Sequence, residues 1–309
     1  MIGMGISGVN MTYDKLWSEA AKHMKSSIIR ELLKWAVEKD IISFGGGMPD
    51  PKNIPKKELA EITYKLILEK GERVLIYGPT KGSEYLRETL QKFVERHDMK
   101  IKSIEEIAIV TGSQQALDLF GRVLLDKGNY IIVEKPTYLA AINAFHFYEP
   151  RMVGIPLDEN GMKMEKLEEE VKRLKKEGKK IKFIYTIPTC QNPSGYSMSV
   201  DRRKELLEIA SKYDLFIIED DPYSYFLYEP IKVRYIKAMD TENRVIFTST
   251  FSKILSPGLR VGWMIGDEEM INKLCVAKQS MDLCTSPLNQ YIAAAVSYTH
   301  LTLPTICSV

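Results

Sequence analysis

The sequence predicts an α/β protein built as a three-layer sandwich, with a mostly parallel central sheet covered by helices on both faces. Short apolar, β-rich runs recur from Ile107 onward: IAIVTG, YIIVEKP, KFIYTIP, LFIIEDDPY, RVIFTST and VGWMIG. Longer stretches with helical spacing separate them, which is the pattern of successive βαβ units. With 309 residues, 45% hydrophobic and 27% charged, the chain is long enough for sizeable cores and too apolar to be a disordered one.

Taken along the chain, residues from about Tyr13 to Lys39 have a helical pattern without strands, which SFGGGMPDPKNIP then breaks with glycine and proline. This segment reads as an arm or the start of a small domain, covering residues 1–45. Residues 46–295 read as one large domain. Within it Gln114 to Asp126 and Asp201 to Tyr213 are expected helices, the second with Leu206, Ile209 and Ala210 at helical spacing. Asn160-Gly161 forms a turn. The following EKLEEEVKRLKKEGKK places Leu167, Val171 and Leu174 on one stripe, so it reads as a solvated amphipathic helix rather than a basic docking patch. Ala293 to Ala295 looks like the inside of a helix, and VSYTHLTLPTICSV follows with no register, cap or apolar stripe. Residues 296–309 are therefore expected to be a non-native tail, Val296 to Thr305 resembling a translated library adapter, with a C-terminal small domain missing.

Lys+Arg 43 against Asp+Glu 41 leaves a formal charge of +2, too little for a nucleic-acid surface. Cys190, Cys275, Cys284 and Cys307 include no CxxC pair, so neither a disulfide framework nor a zinc site is indicated. No segment approaches the length of a membrane span, and the N-terminus has no basic leader. A cytoplasmic protein without membrane or nucleic-acid partners is expected.

Gly3, Gly5 and Gly8 satisfy G-x-G-x-x-G, but no strand precedes them, so a dinucleotide site there is not expected. GSQQALDLF follows a strand and opens a helix. Its backbone N–H groups and the Ser113 hydroxyl suit an anion, although Ser113 serves equally as a plain helix cap. TFSKILSPGLRVGW adds the Thr250 and Ser252 hydroxyls, the Lys253 amine and the Arg260 guanidinium in one strand-to-loop passage, a set suited to phosphate and to Schiff-base chemistry. EDDPY sets Asp220 and Asp221 at a strand's carboxyl end, where ligands bind in open α/β sheets; on an extended chain only one of the two faces a ligand. Metal binding is disfavoured there, since no histidine completes a ligand set. Asn192 in PTCQNPSG and Tyr138 in EKPTYLAA also follow strands. Each could equally be structural when read alone.

Together and in this order, these motifs resemble the pyridoxal-phosphate aminotransferases of fold type I, class I/II, in their kynurenine and 2-aminoadipate branch. The resemblance runs from about Ile28 to Ala295. It implies pyridoxal 5'-phosphate as cofactor, with Lys253 forming its Schiff base and shuttling the proton. It also selects Asp220 over Asp221 as partner of the ring nitrogen, and puts Tyr223 and Asn192 at the ring's phenolic oxygen. Ser113, Gln114, Thr250, Ser252 and Arg260 match phosphate-binding positions, and Tyr138 the ring-stacking aromatic. Tyr77 in YGPTKG matches a tyrosine that reaches the neighbouring subunit's phosphate, which implies a homodimer. Gly47 matches a substrate-facing loop, with Asn192 also beside the substrate. The implied activity moves an amino group from an L-amino acid to an α-keto acid, 2-oxoglutarate being the expected acceptor. A β-lyase or racemase of the same fold is the alternative, and the sensor domain of a transcription regulator is the alternative of another class.

Overall fold

The computed structural model describes residues 13–22, 47, 49–227 and 233–299. The glycines at 3, 5 and 8, most of the expected helix up to Lys39, and Cys307 lie outside these. The chain divides into two compact units, Met1–Gly46 and Gly47–Val309. In the first, Tyr13–Lys15 form a 3-10 turn and Glu19–Lys22 (α1) a single helical turn.

The second unit opens with two helices, Lys56–Val74 (α2) and Glu84–Glu95 (α3). Ser83 starts α3 by accepting the Leu86 N–H on its side chain, the common serine cap. Strands and helices then alternate as expected: β1 (Ile107–Val110), α4 (Ser113–Leu124), β2 (Tyr130–Lys135), α5 (Leu139–His146), β3 (Arg151–Asp158), β4 (Gly161–Met162), α6 (Met164–Lys176), β5 (Ile181–Thr186), α7 (Val200–Lys212), β6 (Ile217–Asp220), α8 (Ile236–Met239), β7 (Val245–Thr250), β8 (Gly262–Ile265), α9 (Glu268–Gln279) and α10 (Pro287–Thr299). The strands form one eight-stranded sheet in the order β1-β8-β7-β6-β5-β2-β3-β4.

All six strands expected from the apolar runs are present. The two that were not anticipated, β3 and β4, lie at the sheet's far edge, where β3 is partly exposed and contains Gly154 and Pro156, both strand-weakening residues tolerated at edges. β8 pairs antiparallel with both β7 and β1, because only residues 251–261 separate it from β7, too few for a parallel crossover helix.

Alternate strand residues feed opposite faces, as the period of two requires. Ala108, Val110, Ile218 and Ile246 join α4, α5 and α9 in one core. Ile107, Ile109, Phe247 and Trp263 pack with α3 and α10, while Ile217 and Val245 pack with α6, α7 and α8. Each fully buried Ile or Leu contributes about 1.5–3 kcal/mol, so three such cores fix the sheet firmly between its helix layers. On α6, Leu167, Val171 and Leu174 are buried, and the outward charges pair among themselves, as in Lys166–Glu169 and Arg173–Glu170. At the other end of the chain, α10 does not stop at Ala295 but continues to Thr299, with Val296 and Ser297 buried. Once a helix is nucleated and packed, extending it costs little.

Candidate active site at the carboxyl ends of the strands

β2, β5, β6 and β7 run parallel, and β1 runs the same way because both it and β7 oppose β8. Their carboxyl ends therefore share one edge of the sheet. Ser113 follows β1, Tyr138 follows β2 and Asn192 follows β5. Asp220 ends β6, Thr250 ends β7, and Arg260 stands just before β8. Topology alone thus gathers residues spread over some 150 positions into one place.

The start of α4 forms an anion cradle. Its N-cap is Gly112 at φ +75°, with no side-chain cap, and Ser113 is already the first helical residue, so Ser113 does not act as the plain cap its sequence position allowed. A Cβ on Gly112 would lie 2.2 Å from Arg260 Nη2, which puts the guanidinium directly over the helix entrance. A Cβ on Gly262 would come 2.8 Å from the Ser113 nitrogen, so the entrance to β8 presses against the same point. Thr250 Oγ1 donates to Ser252 Oγ at 2.9 Å and receives the Ser252 N–H at 3.1 Å. Arg260 Nη1 reaches Ser252 Oγ at 3.4 Å. Hydroxyls, a guanidinium and the positive end of a helix dipole converge here, a strong environment for a phosphate. Gln114 is exposed and donates to the Ala140 carbonyl at 3.2 Å, linking the cradle to the segment that carries Tyr138.

Asp220 is buried. Its Oδ2 accepts the Tyr185 hydroxyl at 2.7 Å, and its Oδ1 has no hydrogen-bond partner among the described residues. Burial pushes its pKa up to about 7, against the pull of the Tyr185 hydrogen bond, and the Asp221 charge adds to the rise. Asp221 turns the other way, receiving the Ser224 hydroxyl and the Ser224 N–H. Asn192 Nδ2 donates to the Tyr223 hydroxyl at 3.2 Å. Tyr138 is half-buried, packs against the core containing Tyr185 and bears electrostatically on the Tyr185 hydroxyl. Lys253 Nζ donates to the Gly47 carbonyl at 2.9 Å, and partial burial lowers its pKa below that of an ordinary lysine.

Tyr77 is 81% exposed. Two groups escaped the sequence reading. Tyr185 lies inside the apolar run KFIYTIP, where an aromatic reads as core. Glu134, the penultimate residue of β2, is buried and accepts the Thr186 hydroxyl, the Ile187 N–H and the Gln191 amide. An acid among apolar strand residues was the available signal for it.

Residues 39–306 match the family described as aminotransferase class I and II. The chain belongs to that family. It is 50% identical over 284 residues to aromatic-amino-acid aminotransferase 1 of Thermococcus litoralis, covering 92% of this chain and 68% of that protein. It is 39% identical over 283 residues to the 2-aminoadipate transaminase of Thermus thermophilus, covering 89% and 68%. Among solved structures, the kynurenine aminotransferase of Pyrococcus horikoshii, in complex with PMP, superposes with a TM-score of 0.89 at 49% identity, covering 93% of this chain and 71% of that one. The protein is a pyridoxal-phosphate-dependent aminotransferase of fold type I, and the lyase, racemase and regulator readings are not favoured. The residues present fit the cofactor: Asp220 offers a buried, unpartnered carboxylate oxygen suited to a cationic ring nitrogen, and the α4 entrance offers a phosphate seat.

Proposed function

We propose that this aminotransferase takes an aromatic or aminoadipate-like L-amino acid as donor and 2-oxoglutarate as acceptor. The names of its relatives support the donor class. Pyridoxal phosphate, when bound, supplies an aldehyde that condenses with amines and a ring that accepts an electron pair from the donor's α-carbon.

In this reading each residue has a stated task. Ser113, Gln114, Thr250, Ser252 and Arg260 hold the phosphate, the helix dipole and guanidinium offsetting its charge. Asp220, ionised, keeps a proton on the ring nitrogen, so the ring remains an electron acceptor. Asn192 and Tyr223 hold the phenolic oxygen, and Tyr138 covers a ring face. Lys253 binds the aldehyde, and once displaced by the donor amine it carries the α-proton from one carbon to another. Its lowered pKa leaves more of the amine neutral, as a base requires. Gly47 and Asn192 border the substrate.

Assembly as a homodimer belongs to the same proposal, with exposed Tyr77 reaching a second copy's phosphate. So do an arm ahead of residue 46 and a cytoplasmic setting, the latter supported by the unpaired thiols of Cys190, Cys275 and Cys284. The observation that carries the reading is Asp220, a buried carboxylate with one oxygen satisfied by Tyr185 and the other unpartnered.

The test is spectroscopic and chemical. Purified protein with added pyridoxal phosphate should develop a visible absorbance band that Lys253→Ala removes. Turnover of an aromatic donor with 2-oxoglutarate should give glutamate and the aromatic keto acid without ammonia. Ammonia release, or a band insensitive to Lys253, sinks the proposal.

A further inference from the structure

We propose that Glu134 is a positioning residue for the cofactor site, its one buried carboxylate tying the turn after β2 that carries Tyr138 to the turn after β5 that carries Asn192. The inference rests on the roles proposed above for Tyr138 and Asn192. Oε1 of Glu134 receives the Thr186 hydroxyl at 2.6 Å. Oε2 receives the Ile187 N–H at 3.2 Å and the Gln191 amide at 3.1 Å. The same Gln191 amide nitrogen donates to the Pro136 carbonyl at 2.8 Å, two residues before Tyr138. Gln191 Oε1 accepts the Ser194 N–H at 2.8 Å, closing the turn that holds Asn192.

Every contact made to Glu134 is a donor, so the group that matches these neighbours is an acceptor with two oxygens. It has no salt-bridge partner among the described residues, and burial pushes its pKa up to about 7. An unpaired buried acid burdens the fold. What it supplies in return is the fixed spacing of two turns whose side chains enclose the ring. Such hydrogen-bonded support is what holds a binding site to a fraction of an ångström.

A purely structural staple and a positioning residue differ in what their loss moves. Glu134→Gln keeps one oxygen for the Ile187 and Gln191 donors and turns its own amide toward Thr186 Oγ1, so it should retain cofactor affinity within about threefold. Glu134→Ala removes all three acceptor contacts and should raise the cofactor dissociation constant about tenfold or more. It should also move the pH midpoint of the visible band by about half a unit, because Asn192 and Tyr223 shift relative to the ring.

The experiment is a titration of pyridoxal phosphate into cofactor-free wild type, Glu134→Ala and Glu134→Gln, with the band's pH midpoint and the unfolding temperature recorded for each. A lowered unfolding temperature in Glu134→Ala with unchanged affinity and midpoint overturns the proposal. Should Glu134→Ala fail to fold, Gln191→Ala takes its place. It removes the amide that bridges Glu134 to Pro136 together with the Ser194 turn contact and should weaken binding about threefold or more, and unchanged binding there overturns the proposal as well. A wild type with no Lys253-dependent band would overturn the parent reading instead, which separates the two failures.

Discussion

At Asp220 burial and hydrogen bonding act in opposite directions. The carboxyl is pushed up to about 7 by desolvation, while the Tyr185 hydroxyl at 2.7 Å stabilises the charged form. Hydrogen bonds to charged groups are worth about 1.5–3 kcal/mol, so Tyr185→Phe should raise the Asp220 pKa by about one unit or more. The acidic limb of the kcat/KM profile should then move to higher pH by a similar amount, with the unfolding temperature little changed. A limb that stays in place would show that Tyr185 does not act through Asp220. Tyr185 itself was illegible in the sequence, because its apolar ring fits the core pattern and only its hydroxyl meets the site. Lys253 and Asp220 were legible only through the ordered set of motifs and the resemblance it carries, since a lone lysine reads as surface and the strand end by itself left Asp220 and Asp221 equal.

Two neighbours crowd the first turn of α4, the Arg260 guanidinium at Gly112 and Gly262 at Ser113. Gly112 adopts φ +75°, a conformation open to glycine at little cost, and sits against the Arg260 guanidinium. Gly112→Ala should displace Arg260 and strain the backbone, costing about 1–3 kcal/mol. Cofactor affinity should fall about tenfold or more, measurable by titration of pyridoxal phosphate into the cofactor-free protein. Wild-type affinity in that variant would mean the cradle tolerates a shifted guanidinium. The helices α4 and α7 were placed within two residues from spacing alone. The edge strands β3 and β4 were not, since their stability comes from pairing with β2 and with each other rather than from an apolar run.

Four buried acids, Glu134, Glu219, Asp220 and Asp221, have pKa values raised by burial to about 7, 7, 7 and 6. In the unfolded chain such groups titrate near about 4. The folded protein therefore binds more protons in this window, and their stabilisation, complete below about 4, is lost as pH rises through 7. His97 and Lys253, whose pKa values burial lowers, oppose this with the reverse sign, but two groups against four leave a net fall. The unfolding temperature of the cofactor-free protein should decrease from pH 5 to pH 8. A flat or rising profile would show that these carboxyls ionise freely in the fold. Pyridoxal phosphate at about 100 times its dissociation constant should add about 2.7 kcal/mol or more of stability. It should also flatten the pH dependence, since a cationic ring nitrogen favours the charged Asp220. The sequence by itself determined the layered α/β architecture and the identity of the chemical groups, because periodicity and residue type are local properties, while the cofactor class came from the resemblance that the ordered motifs carry. Only the tertiary structure decided which oxygen of Asp220 is unpartnered, that Ser113 is not a cap, and that Glu134 joins two turns. Those facts depend on partners brought together by strand order, which no local pattern encodes.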